Sequence, residues 1–137
     1  MNWLSQKFWA NRLYLTVEKI LKSGDGWRLG WRPATSDYPG LVGSDNWALE
    51  LTAMEMADFC RLVQQLSQAI SHLAGELMAE EKIDCEAESE LLWLQASGYP
   101  HSYSLRLLLS SGRQAEGNWS AAAVPELIIA TATLGLF

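Results

Sequence analysis

Residues 52 to 77 contain the feature that most limits what this chain can fold into. Phe59, Leu62, Val63, Leu66, Ile70, Leu73 and Leu77 recur at intervals of three and four, so they mark one stripe along a helix. Thr52-Ala-Met-Glu55 stands just before the stripe and forms a capping box. In it the threonine hydroxyl takes an orphan amide N–H, and the glutamate reaches back to the backbone of the threonine. A helix running on to Glu81 would span about 42 Å at about 1.5 Å per residue. A cylinder that long, apolar on one side only, has to lie across a sheet.

Strand patterns flank it on both sides. Trp27–Arg32 alternates, with Trp27, Leu29 and Trp31 inward and Arg28 and Arg32 outward, and Pro33 ends the run. The segment ATSDYPGLVGSDN is dense in turn formers and reads as a loop. Trp47, Leu49 and Leu51 then share one face of a second strand. Beyond the helix, residues 83–97 read as one long strand with a bend near Ala87–Ser89, since about five or six residues is usual. Gly98–His101 is a turn, Tyr103–Leu109 a strand, Ser110–Arg113 a turn and Gln114–Trp119 a short strand. A last helix starts at Ser120 or Pro125 and runs through Leu127, Ile128, Thr131 and Leu134. The order is β-β-α-β-β-β-α: an α+β fold, an antiparallel sheet backed by one long central helix and a C-terminal helix.

The octet IDCEAESE carries an acid at every second position, Asp84, Glu86, Glu88 and Glu90. As helix, these acids would scatter around the cylinder; as strand, they share one face, while Ile83, Cys85, Ala87, Ser89, Leu91 and Trp93 share the other. Carboxylates two apart on a strand stand roughly 6.6 Å from each other. A calcium or magnesium ion needs oxygens converging at about 2–2.6 Å, so no metal site is expected. An acid/base pair would need a pocket to perturb one member, whereas an exposed acid row is solvated. The row is expected to be a wet sheet face, partly neutralised by Arg28, Arg32 and Arg106 on neighbouring strands, with charge left over to receive a basic partner.

Charge divides the chain unevenly. Residues 1–35 hold six bases against two acids, a net of +4; residues 36–137 hold four bases against fourteen acids, a net of −10. So acidic a body repels phosphate at long range, but a basic strip near the N-terminus keeps a local nucleic-acid site open. Trp27, Trp31, Trp47, Trp93 and Trp119 could be stacking platforms for bases; their phase with the leucines assigns them to the core. Cys60 and Cys85, far apart and in no paired spacing, indicate a reducing compartment. No stretch reaches the roughly 18 apolar residues of a membrane span. Residues 1–18 are expected to be a poorly ordered extension, lacking the apolar run of a signal peptide, and 19–137 a single domain. Gly24-Asp25-Gly26 lacks the third glycine of a dinucleotide fingerprint and is a turn into a strand. His101 beside Ser102 lacks a nucleophile elbow, and His72 on the long helix reads as a polar-face residue or a satisfied neighbour of the core.

The phrases GDGWRLGWRP, YPGLVGSDNWALELT, FCRLVQQL, ELMAEEKIDCEAESELLWLQASGYPHSYSLRLLL and GRQAEGNW, in that order, resemble a cyanobacterial family known as domain of unknown function 1818. The resemblance runs from about Lys19 to the C-terminus. It implies a fold similar to the Whirly-type single-stranded-DNA-binding transcriptional regulators, a curved antiparallel sheet backed by helices, and supplies no catalytic residues. The functional expectation is a non-enzymatic cytoplasmic protein without cofactor or metal. It would be a protein-binding or assembly module, or a homodimer, acting through Asp84, Glu86, Glu88 and Glu90. The alternative is a weak single-stranded nucleic-acid binder using Lys22, Arg28, Arg32 and Arg106. A small hydrolase using the acidic residues comes third.

Overall fold

The computed structural model describes residues 19–32, 37–110 and 112–134, and the extension expected at 1–18 lies outside the described residues. In chain order the elements are β1 (Ile20–Gly24), β2 (Trp27–Trp31), β3 (Gly40–Gly43), β4 (Ala48–Leu51), α1 (Ala53–Ala74), β5 (Ile83–Glu88), β6 (Leu92–Tyr99), β7 (Ser102–Leu109), β8 (Glu116–Trp119) and α2 (Val124–Thr133). The strands form two four-stranded antiparallel sheets, β1-β2-β3-β4 and β5-β6-β7-β8, each a meander of sequential neighbours. The α+β class, the long helix and the C-terminal helix are as the sequence indicates. The strand count is larger, and the sheet is divided in two.

Helix α1 begins where the capping box puts it. The Glu55 backbone N–H donates to Thr52 Oγ1 at 3.1 Å, and the Thr52 N–H donates to Glu55 Oε1 at 2.9 Å. It ends at Ala74 after 22 residues, about 33 Å, well before Glu81. Gly75 caps it, and a glycine there makes continuation costly by roughly 1 kcal/mol relative to alanine. Met56, Phe59, Cys60, Leu62, Val63, Leu66 and Ile70 are buried, and the helix touches strands of both sheets. Helix α2, with Pro125 in its first turn, packs on α1, β2 and β7.

Two tryptophans join the sheets. Trp119 at the end of β8 donates from Nε1 to the Gly43 carbonyl at 2.8 Å, and Trp47 ahead of β4 donates from Nε1 to the Asn118 carbonyl at 3.1 Å. Their rings lie 5.0 Å apart and tilted by 58°, and Phe59 of α1 stacks on Trp119 at 5.6 Å. Position 117 must be glycine, because a Cβ there would overlap the Trp47 ring. The Trp119 indole N–H is thereby satisfied inside the core, as buried tryptophan requires, while that of Trp47 is satisfied at the more open rim.

Three local differences from the alternation pattern have physical causes. Strand β1 is an edge strand, half exposed, joined to β2 by an Asp25–Gly26 hairpin turn with Gly26 at φ +85°. Strand β3 is short and glycine-ended, because its Gly40 lies against Met56, where a Cβ would be only 2.9 Å from that side chain. Residues 83–97 do not form one strand. Ser89 Oγ accepts the N–H groups of Leu91 at 3.1 Å and Leu92 at 3.4 Å, and the chain reverses there into β6.

Candidate functional site

That reversal decides what the acidic sheet presents. The alternation read through position 93 puts Trp93 on the core side with Ala87. The turn at Ser89–Leu91 shifts the phase by one, and such a slip sends every later side chain to the other face. Leu92, Leu94 and Ala96 are therefore buried, while Trp93 lies partly buried on the outer face among the acids. The expectation that all five tryptophans fill the core is thus corrected for Trp93. Trp27 and Trp119 are buried, and Trp31 and Trp47 pack against the core as partly buried residues.

Strand pairing arranges the outer face in rows. Glu88 stands opposite Trp93, which faces Leu108, which faces Glu116; Glu86 stands opposite Gln95, which faces Arg106, which faces Asn118; Asp84 stands opposite Ser97. The Trp93 indole donates to Glu86 Oε1 at 3.1 Å, and the Gln95 amide donates to Asp84 Oδ1 at 2.8 Å. The Arg106 guanidinium lies 5.7 Å from the Trp93 ring centre and pairs with Glu116 at 3.2 Å. Asp84, Glu86, Glu88 and Glu90 are all exposed, and Glu88 and Glu90 have no ion-pair partner among the described residues. Strand β5, which holds the first three of these acids, is also an edge of its sheet.

The bases are distributed differently from the sequence expectation. Arg28 and Arg32 lie in the other sheet and do not reach the acid row. Arg28 donates from Nε to the Ser44 carbonyl at 2.8 Å and from Nη2 to the Trp47 carbonyl at 2.9 Å. Arg32 pairs with Glu50 at 3.1 Å. Lys22 turns toward α2 and donates to Thr133 Oγ1 at 3.0 Å. Of the four proposed nucleic-acid contacts, only Arg28 and Arg32 share a groove, and only Arg106 shares the sheet of the acids. Among the described residues there is no group of three or more acidic, histidine or cysteine side chains placed to hold a metal. Cys60 and Cys85 are free thiols, and burial pushes the Cys60 thiol up to about 12. Burial also raises the Tyr103 hydroxyl.

The sequence pattern also missed Arg113. This residue, on the turn between β7 and β8, forms an ion pair with the buried Glu55 carboxylate and lies 4.8 Å from the Tyr38 ring centre. Glu55, only 2 % exposed, thus has two tasks, capping α1 and anchoring that turn. Nothing in the spacing of residues 55 and 113 announces the pair. Exposure of Trp93 was more accessible to sequence reasoning: Leu91, Leu92, Trp93 and Leu94 are four apolar residues in a row, which no single alternating phase accommodates.

The fold and this face define an α+β protein with two antiparallel sheets, one of which presents an aromatic side chain inside an acidic rim. The chain belongs to the family described as domain of unknown function (DUF1818), whose model matches residues 22–134. It is similar to a solved structure from Prochlorococcus sp. NATL2A, described as a protein with unknown function from the DUF155 family. The two share 27% sequence identity and a TM-score of 0.79 over 84% of this chain and 98% of that one. No curated protein matches the chain.

Proposed function

We propose that the protein is a non-enzymatic binding module that receives a basic protein partner on the outer face of β5–β8. The observation that carries this is the position of Trp93: on the outer face and partly open to water, beside Leu108, and ringed by Glu86, Glu88, Glu116 and Arg106. Tryptophan and arginine are the side chains that most often dominate interface energetics, and a charged rim sets the choice of partner. Two copies meeting through this face would oppose acid to acid, so a basic partner fits better than a homodimer. The acids stand in water rather than in a pocket, which leaves a hydrolase without the desolvation its carboxylates would need. A cytoplasmic setting accords with the two free cysteines. Among the described residues no helix is long and apolar enough to cross a membrane.

Affinity purification from the native organism tests the reading, using the wild type, Trp93→Ala and the double variant Glu86→Lys/Glu88→Lys as baits. A reproducible partner held by the wild type and lost by both variants is the expected result. A partner that survives both changes, or none at all, contradicts it.

Single-stranded nucleic-acid binding, the activity suggested by a Whirly-type likeness, has one observation in its favour. Lys19, Arg28 and Arg32 line a groove of about 220 Å³ over Leu21 and Leu41. Lys22 and Arg106 lie elsewhere, and the polar N–H groups of Arg28 are largely engaged by carbonyls. Fluorescence anisotropy with short oligonucleotides decides this: binding must be present at low salt and fall steeply as salt rises, and its absence at low salt removes the reading.

A further inference from the structure

A second surface, independent of the acidic sheet face, lies where the β3–β4 turn meets the end of β8. It is a cleft of about 400 Å³ lined by Ser44, Asp45, Asn46, Trp47, Asn118 and Ser120. That volume falls within the range of about 300–1,000 Å³ typical of small-molecule sites.

The walls of the cleft are held in place before any ligand arrives. Within the turn, the Ser44 N–H donates to the Trp47 carbonyl at 3.0 Å, and the Ser44 hydroxyl donates to Asn46 Oδ1 at 3.1 Å. From the neighbouring strand, Arg28 grips the turn at both ends through the Ser44 and Trp47 carbonyls. The indole of Trp47 is fixed by its bond to the Asn118 carbonyl and by contact with Gly117. A turn fastened at this many points loses little freedom on binding, and such preorganisation is what raises affinity.

Three polar groups of the cleft are left over. The Asp45 carboxylate, the Asn118 amide and the Ser120 hydroxyl have no hydrogen-bond partner among the described residues. Together they offer acceptors and donors beside an aromatic wall. A carboxylate in the lining, in a chain of net charge −6, disfavours an anion. One carboxylate is too few for a metal ion, which takes several oxygen ligands. Hydroxyl groups, which both donate and accept, match the set, and the C–H side of a sugar ring suits an indole. We infer that this cleft binds a small neutral polyhydroxylated molecule of mono- or disaccharide size.

The test follows the Trp47 indole N–H and the Asn118 and Ser120 amides by NMR while glucose, sucrose or glycerol is titrated into the full chain, with inorganic phosphate as the anionic comparison. A saturable shift at these three positions with at least one of the polyols is expected. It should weaken by roughly tenfold or more in Asp45→Ala and Asn118→Ala, as loss of a paired polar group implies. Both side chains are exposed, so the variants fold, and an unchanged spectrum away from the cleft verifies that. No saturable shift with any polyol, shifts with phosphate alone, or equal titrations in the wild type and both variants overturns the inference.

Discussion

On the open face of β1–β4, the arginines already have internal work: Arg28 holds a turn by its carbonyls and Arg32 is matched by Glu50. On the open face of β5–β8, one arginine is shared between Glu116 and the Trp93 ring, and Glu88, with Glu90 in the adjoining turn, goes without a counter-ion. The first face therefore has little left to offer a partner, while the second keeps both charge and an aromatic contact available. The comparison teaches that a charge row gains functional meaning from the pairing around it, since a solvated ion pair contributes only about 0–1 kcal/mol to stability.

The largest expected effect comes from unfastening the two sheets. Trp119→Ala removes a fully buried ring that touches Trp47 and Phe59 and a bond to Gly43. It should cost about 3–5 kcal/mol, read as a lower urea midpoint. If the sheets hold together without it, the loss will be near that of a surface substitution. Next comes Arg113→Ala, which leaves the Glu55 carboxylate buried and unpaired. About 2–3 kcal/mol is expected, below the roughly 3–5 of a fully buried pair because the Arg113 side chain keeps 32% of its surface exposed. The same change at Arg106, whose pair is open to water, should cost no more than about 1 kcal/mol. Equal losses at 106 and 113 would erase the distinction between a structural pair and a surface one.

Trp93→Ala should cost about 1 kcal/mol, far less than Trp119→Ala, because its ring is only partly buried and lies outside the core. A loss as large as that of Trp119 would return Trp93 to the core and break the contrast. The last effect is confined to high pH. Burial holds the Cys60 thiol at about 12 against an ordinary 9.0, so the folded chain keeps its proton where the unfolded chain releases it. The stability tied to this thiol is whole below pH 9.0 and is lost as pH climbs toward about 12. Urea midpoints of Cys60→Ala, compared with the wild type across that window, should fall less steeply.

Much of this was legible in the sequence. The capping box, the stripe from Phe59 to Ile70 and the alternation of Trp27–Trp31 and of Ile83–Glu88 are local signals, and each element formed where its signal lies. Strands β1 and β3 were not read. Strand β1 is polar and at an edge, leaving little alternation to detect, although the Asp25–Gly26 pair is itself a hairpin signal. Strand β3 is two residues flanked by glycines chosen for close packing. On the acidic face, the row of carboxylates was plain, but the side on which Trp93 falls depended on a serine side chain turning the chain at Ser89–Leu91, inside the run read as a single strand. The partners of Arg28, Arg32 and Arg113 depend on which strands become neighbours, and no local pattern encodes that.

Hydrogen–deuterium exchange of the chain bound to its captured partner is the most direct measurement of where that partner sits. Protection over residues 84–97 and 104–108, with β1–β4 unchanged, is the predicted footprint. Protection centred on residues 27–51 with the acidic strands still exchanging freely would contradict it.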